Sequence, residues 1–160
     1  MALDVLLQAQ ENQLPDLAFR YGCRARNCGV CTIDINGKPR IACRAIVRDG
    51  DELKAMSTLP VITDLIVRRD QISRQLKGKI YQGGRKNDLN VEASEDYHEL
   101  TSCIECYACL NNCPMHEKNF SDTKNDLNYF QWGNPFSLLK LQTIATDPVL
   151  SLIHISEPTR

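Results

Sequence analysis

The spacing of apolar and polar residues predicts a few short elements near the start of the chain. Residues 5–9 fit one apolar face of a helix, which must end before Pro15. Residues 32–41 alternate in a way that predicts a strand, an Asn-Gly turn and a second strand. Such a hairpin returns Cys43 to the neighbourhood of Cys23.

The same pattern continues to about position 76. Residues 61–67 predict one further strand, and a helix is expected from Asp70 onward. Residues 1–76 are therefore expected to form one α+β domain. The glycines and charged residues of 77–92 are typical of a linker.

Residues 93–149 are expected to be mainly helical. The approach to Cys103 has a helical pattern, Pro114 should end that segment, and a final helix is expected over 136–145. The core face predicted for this final helix consists of Phe136, Leu138, Leu139, Leu141, Ile144 and Ala145.

The amino-acid composition excludes some classes of protein but does not by itself indicate a function. The chain has 160 residues, of which 42% are hydrophobic and 24% charged, and its net charge is −1. No apolar run approaches the roughly 20 residues of a membrane span, and the overall charge argues against a nucleic-acid partner. Residues 20–48 nevertheless contain seven basic residues and only Asp34 as an acid, for a local charge of +6. This window could attract an anionic cofactor or acidic partner, or could simply be solvated.

The eight cysteines fall into two compact groups. The first has the spacing C-x4-C-x2-C-x11-C, which matches plant-type ligation of a [2Fe–2S] cluster, a carrier of electrons. Gly22 and Gly29 suit a loop that wraps closely around inorganic sulfide. The predicted [2Fe–2S] ligands are Cys23, Cys28, Cys31 and Cys43.

The second group has the spacing C-x2-C-x2-C-x3-C-P, as in bacterial ferredoxins. In that run three cysteines bind one cluster and the fourth binds another, so both clusters need further ligands. The residues of this group are Cys103, Cys106, Cys109 and Cys113, followed by Pro114. Zinc is a weaker alternative, since zinc ribbons pair two short C-x2-C knuckles. A disulfide framework, which would require export, is weaker still.

In order and sequence, several motifs resemble the iron-sulfur subunits of succinate dehydrogenase and fumarate reductase. The resemblance extends over about positions 2–149. Besides the two cysteine groups, it is carried by Leu14-Pro15-Asp16-Leu17-Ala18-Phe19-Arg20, Ile33-Asp34-Ile35-Asn36-Gly37, Leu59-Pro60-Val61-Ile62-Thr63-Asp64-Leu65 and Gly133-Asn134-Pro135.

This resemblance implies a β-grasp, plant-type [2Fe–2S] ferredoxin-like domain followed by an α-helical ferredoxin domain. It assigns Cys103, Cys106 and Cys109 to a [4Fe–4S] cluster and Cys113 to a third cluster, [3Fe–4S] or [4Fe–4S]. The implied partners are an FAD-containing flavoprotein subunit and a membrane anchor or other acceptor subunit, with quinone as one candidate acceptor. The implied location is cytoplasmic, at the inner face of the membrane through those partners.

The resemblance also leads us to expect a fragment. Family members begin with a hairpin before the position of Met1 and supply the missing ligands from a later cysteine region. The β-grasp domain is therefore expected to be incomplete at its start and the helical domain truncated. Residues 150–160 resemble a translated adapter used in preparing sequencing libraries and are interpreted as a non-native tail.

Two other functions remain open. One is a stand-alone ferredoxin, or the iron-sulfur subunit of a different flavin-dependent oxidoreductase; the other is a structural zinc module. Many quinone-linked family members have tryptophan a few residues after the Cys-Pro pair, whereas here Met115-His116-Glu117-Lys118-Asn119 follows Pro114. His116 could handle protons or belong to a quinone site, but it is expected to face solvent. Trp132 and Tyr107 are interpreted as packing residues, and Tyr107 could also shield a cluster.

Overall fold

The computed structural model describes residues 1–69, 92–111, 113–116 and 134–148. The first element is helix α1, Ala2–Asn12, which confirms the predicted helix and its end before Pro15. Its Ala2 and Leu3 amides donate to the carbonyls of Ala45 and Ala42, at 2.8 and 3.0 Å. These bonds tie the start of α1 to the segment that carries Cys43.

The predicted hairpin is confirmed. Strand β1, Thr32–Ile35, pairs antiparallel with β2, Lys38–Ile41, and a short strand β3, Leu53–Lys54, pairs with the other edge of β1. The turn residues Asn36 and Gly37 have φ of 52° and 75°, the left-handed pair that a tight two-residue hairpin turn requires.

The first core lies between α1 and this sheet. Leu3 and Leu6 of the helix pack on Ile33 and Ile35 of the central strand, and all four side chains are buried. Cys31 and Cys43 belong to the same buried cluster. The packing that holds α1 on the sheet therefore also fixes two of the predicted ligands.

Residues 61–67 do not form the single strand that was predicted. They form two short antiparallel strands, β4, Val61–Thr63, and β5, Ile66–Val67, joined by a turn. Asp64 has φ of 40°, and its carboxylate accepts a hydrogen bond from the Ala18 amide at 2.8 Å. This bond to a distant loop favours the turn. The helix expected from Asp70, the predicted linker 77–92 except Glu92, and the tail 150–160 lie outside the described residues.

Helical structure follows, as expected, in the later part of the chain. Helix α2, Glu95–Thr101, leads into the second cysteine group, and a 3₁₀ turn, Ala108–Leu110, lies within that group. Helix α3, Pro135–Ala145, confirms the predicted final helix. A second core joins the two parts of the chain: Met56, Leu59 and Val67 pack with Tyr107, Leu110 and Phe136.

The predicted core face of α3 is only partly correct. Phe136 is buried and Leu139, Leu141 and Ile144 are half-buried, but Leu138 and Ala145 are exposed. At about 100° per residue, Leu138 lies about 200° around the helix from Phe136, so both cannot face one core. Ser137 is buried instead, beside the helix cap.

That cap gives a first prediction. The Asn134 carboxamide oxygen accepts from the Ser137 amide at 2.9 Å and from its hydroxyl at 3.0 Å, and Asn134 is buried. We expect Asn134→Ala to lower the free energy of unfolding by about 1–2 kcal/mol, measured by urea denaturation. The matched control is Ser94→Ala, which removes the exposed 3.3 Å cap of α2 and should have a smaller effect. Equal effects would contradict a special role for the buried cap.

Candidate metal centres

The first cysteine group lies on a loop just before β1, closed by the segment after β2. Cys31 and Cys43 are buried, Cys28 is half-buried and Cys23 is exposed. The Ala42 amide donates to the Cys31 carbonyl at 3.1 Å, so the hairpin does bring the last cysteine of the group back to the loop. The predicted hairpin was expected to return Cys43 to this loop, which accounts for the short x11 spacing.

The loop curls its amides around the Cys23 sulfur. The Ala25 and Asn27 amides donate to Cys23 Sγ at 3.3 and 3.2 Å. Arg24 and Arg26 have left-handed backbone, with φ of 54° and 64°. Because left-handed residues here alternate with ordinary ones, successive amides turn to one side of the loop. These hydrogen bonds lower the pKa of the Cys23 thiol to about 7, and the bond from the Ala25 amide has the largest effect.

The other thiols of this group influence one another. Burial raises the pKa of Cys31, and the neighbouring thiols of Cys43 and Cys28 raise it further. Two thiolates held together in a buried place repel each other, and a bound cation would relieve that repulsion. The four cysteines therefore form one interacting set, because Cys28 also contacts Cys23.

The second cysteine group forms a compact loop after α2. Desolvation, followed by the charges of Cys106, Cys103 and Cys113, raises the pKa of the Cys109 thiol, although Cys109 as a whole residue is exposed. The four thiols are thus close enough to interact. Glu105 and Tyr107, on either side of Cys106, both have left-handed backbone, with φ of 52° and 58°.

Within the described segments, no three His, Cys, Asp or Glu side chains converge so as to hold a single metal ion. A zinc ion takes four donors around one centre, whereas a [2Fe–2S] cluster distributes its four thiolates over two irons.

The two cysteine loops touch at Gly29, which has φ of +60°. A Cβ atom built there would lie 2.9 Å from the Cys106 nitrogen and 3.0 Å from its Cα, and closer still to the Ile104 carbonyl oxygen. The residue next to Cys28 is thus in backbone contact with the second group. Cys28 and Cys103 also line one cleft between the loops.

Comparison with known proteins identifies a matching family and several similar proteins. Residues 1–74 match the family described as "2Fe-2S iron-sulfur cluster binding domain". One subunit of the fumarate reductase (CoM/CoB) of Methanothermobacter marburgensis is 31% identical over 150 residues, which cover 91% of this chain and 28% of that protein. The fumarate reductase iron-sulfur subunit of Escherichia coli is 31% identical over 128 residues, covering 73% of this chain and 52% of that protein.

A solved structure extends the likeness to three dimensions. A chain of the Mycobacterium smegmatis Sdh1 complex in the apo form matches with a TM-score of 0.61 and 29% identity, over 72% of this chain and 53% of that one. The chain is thus similar, in sequence and in structure, to iron-sulfur subunits of succinate dehydrogenase and fumarate reductase. It spans about half the length of the Escherichia coli and Mycobacterium relatives, and about a quarter of the Methanothermobacter one.

Two further expectations from the sequence can be compared with the structure. His116 was expected to face solvent, but it is half-buried and its Nε2 lies 2.6 Å from the Thr58 carbonyl oxygen. That contact joins the second cysteine loop to the first part of the chain, which explains the burial. Tyr107 is a packing residue as predicted, with its ring 4.7 Å from that of Phe136. Trp132 lies outside the described residues.

Sequence reasoning missed Arg69. Its guanidinium donates to the Gly29 carbonyl at 3.0 Å and to the Glu105 carbonyl, one on each cysteine loop. These partners are 40 and 36 residues away, so no local pattern could have indicated them. Gly29 itself was noted, but for wrapping around sulfide rather than for contact with the second loop. Over the described ranges, no helix combines the length and apolar character that crossing a membrane requires.

The lowered pKa of Cys23 in this protein gives a second prediction. In the cluster-free chain we expect iodoacetamide to label Cys23 fastest, with a rate that rises through about pH 7, because the thiolate is the nucleophile. Buried Cys31, whose pKa is raised, should react much more slowly. Peptide mass spectrometry after timed labelling measures both rates. In urea the Cys23 midpoint should move up to that of an ordinary thiol, and an unchanged midpoint would contradict the loop as its cause.

Proposed function

We propose that Cys23, Cys28, Cys31 and Cys43 hold a [2Fe–2S] cluster, within a β-grasp domain of residues 1–76. The donor set fits the cluster: four thiols, two of them buried against α1 and the sheet, already interact with one another. The amides of Ala25 and Asn27 supply the hydrogen bonds to sulfur that tune such a cluster's potential. When bound, the cluster accepts and releases single electrons.

We propose that the second cysteine loop, within a helical domain of residues 93–149, supplies ligands to two different clusters. Cys103, Cys106 and Cys109 would hold a [4Fe–4S] cluster, and Cys113 would serve a third cluster, [3Fe–4S] or [4Fe–4S]. Each needs ligands beyond the eight cysteines of this sequence, since the first group uses four of them. We therefore expect these 160 residues, reconstituted without oxygen, to hold only the two-iron cluster stably. A four-iron spectrum that survives Cys113→Ser would contradict this expectation.

The function that we propose is electron relay in a succinate dehydrogenase or fumarate reductase. The observation that carries it is the backbone contact between Gly29 and Cys106, which joins the two loops. Electron transfer between carriers requires that they lie close together, and this contact leaves no intervening layer of side chains at that point. The chain itself would bind no dicarboxylate. Its residues hold, orient and shield the carriers.

The proposed partners follow from the family. An FAD-containing flavoprotein subunit would exchange electrons with the [2Fe–2S] cluster. A membrane anchor or other acceptor subunit, with or without quinone, would exchange electrons with the third cluster, at the opposite end of the series. Residues 20–48 include the first cysteine loop and have a net charge of +6, which would favour an acidic partner surface. The complex would sit at the inner face of the cytoplasmic membrane.

The competing function uses the same clusters without dicarboxylate chemistry. A stand-alone ferredoxin, or the iron-sulfur subunit of another flavin-dependent oxidoreductase, would have identical cysteine loops. To separate the two, the natural gene product is affinity-purified from its source organism without oxygen. The proposal predicts a flavin-containing subunit with succinate or fumarate activity in the eluate, in near-equal amount. An eluate without that activity, from protein that retains its clusters, would overturn the proposal in favour of the ferredoxin.

A further inference from the structure

Arg69 connects the two cysteine loops through both its side chain and its backbone. One guanidinium nitrogen donates to the Gly29 carbonyl at 3.0 Å, and the other donates to the Glu105 carbonyl. The guanidinium carbon lies 5.0 Å from the centre of the Tyr107 ring, and the Tyr107 hydroxyl donates to the Arg69 carbonyl at 3.4 Å. The planar fork of arginine can satisfy two acceptors and stack on a ring at the same time.

These contacts fall on the residues that flank a predicted ligand. Glu105 and Tyr107 lie on either side of Cys106, and both adopt left-handed backbone, which is unfavourable for a residue other than glycine. Such conformations persist where surrounding contacts hold them. Lys140 of α3 adds an anchor from the other side, because it pairs with the Glu105 carboxylate.

We propose that Arg69 is a positioning residue, which locks the loop around Cys106 onto Gly29 and places a fixed positive charge between the two cluster sites. The effect of Arg69 on a cluster's reduction potential rests on the proposed function. Its role in holding the two cysteine loops together does not. The arginine guanidinium carries a positive charge. Its charge would favour the reduced, more negative state of a neighbouring cluster and so raise that cluster's reduction potential.

The test compares Arg69→Gln and Arg69→Lys with Arg68→Gln. Arg68 is the adjacent residue, carries the same charge and is exposed, so its replacement is a matched control. In the full 160-residue chain without cluster, amide hydrogen exchange is followed at residues 28–30 and 104–107. We expect exchange there to be roughly tenfold faster in both Arg69 variants, because each loses hydrogen bonds from a charged donor. Exchange within β1 and β2 should change much less, and Arg68→Gln should leave all these rates unchanged.

The second readout is the reduction potential of the reconstituted [2Fe–2S] cluster, from an EPR-monitored titration. Arg69→Gln should shift it to more negative values, whereas Arg69→Lys, which keeps the charge but not the fork, should recover most of the wild-type value. A residue that only stabilised the fold would not separate the two variants in this way. If Arg69→Gln does not fold, the comparison of Arg69→Lys with wild type still measures the loop contact.

The outcomes distinguish this inference from the proposed function. Exchange rates in both Arg69 variants equal to those of Arg68→Gln would overturn the positioning role, whatever the clusters do. A chain that binds no iron, but whose Arg69 variants exchange faster at both loops, would overturn the proposed function and leave the positioning role standing. Faster exchange with an unshifted potential in Arg69→Gln would overturn the electrostatic part.

Discussion

Gly29→Ala is expected to separate the two cysteine loops and to lower the free energy of unfolding by at least about 2 kcal/mol. Two effects add at this position. The backbone has φ of +60°, which disfavours alanine, and the new methyl group would meet backbone atoms of Ile104 and Cys106. Backbone cannot rotate away as a side chain can, so one loop must move. The loss of stability is measured by urea denaturation followed by circular dichroism.

Two other glycines provide the control. Gly37 and Gly50 have φ of +75° and +88°, but an added Cβ at either one would meet nothing within 4 Å. Gly37→Ala and Gly50→Ala therefore report the backbone cost alone, about 1 kcal/mol. Hydrogen exchange at residues 104–107 should accelerate in Gly29→Ala and not in the controls. If Gly29→Ala were no more harmful than Gly37→Ala, the contact between the loops would be contradicted.

Cys43→Ser is expected to abolish the [2Fe–2S] cluster, with loss of its visible absorption and of both irons. Cys43 is buried beside Cys31, so no solvent-exposed donor can readily replace its sulfur. Serine is close to cysteine in size, so the cluster-free fold should survive, as circular dichroism would establish. The measurement is the absorption spectrum with iron analysis after anaerobic reconstitution.

The matched control for that experiment is Cys113→Ser. It changes the same residue type in the second loop, outside the proposed [2Fe–2S] ligand set, and should leave the iron content and spectrum at wild-type values. If both variants lost the cluster equally, the assignment of ligands to the first group would fail. Retention of the full spectrum in Cys43→Ser would contradict the role of Cys43 directly.

Local chemistry explains what could be predicted from the sequence. The Asn-Gly pair by itself specifies the tight turn of the hairpin, and that hairpin returns Cys43 to Cys31. Helices α1 and α3 are likewise local, since the apolar spacing that predicts them is visible in the sequence. The ligand candidates came from cysteine spacing, which is also local.

The features that could not be predicted from the sequence depend on contacts between residues far apart in the chain. The break between β4 and β5 is held by a bond from Ala18 to Asp64, 46 residues apart, so the strand pattern alone could not indicate it. His116 is half-buried because it meets Thr58, 58 residues earlier. Arg69 and Gly29 acquire their roles only when the two cysteine loops come together. Sequence patterns specify each loop, but packing decides how the loops meet.

The most direct test of the central claim is the iron, sulfide and zinc content of the purified 160-residue chain, prepared and reconstituted without oxygen. The account predicts two irons and two sulfides per chain, no stoichiometric zinc, and an EPR signal from the reduced [2Fe–2S] cluster. Stoichiometric zinc on the cysteine groups, with no iron retained when both metals are offered, would contradict it and establish a structural zinc module.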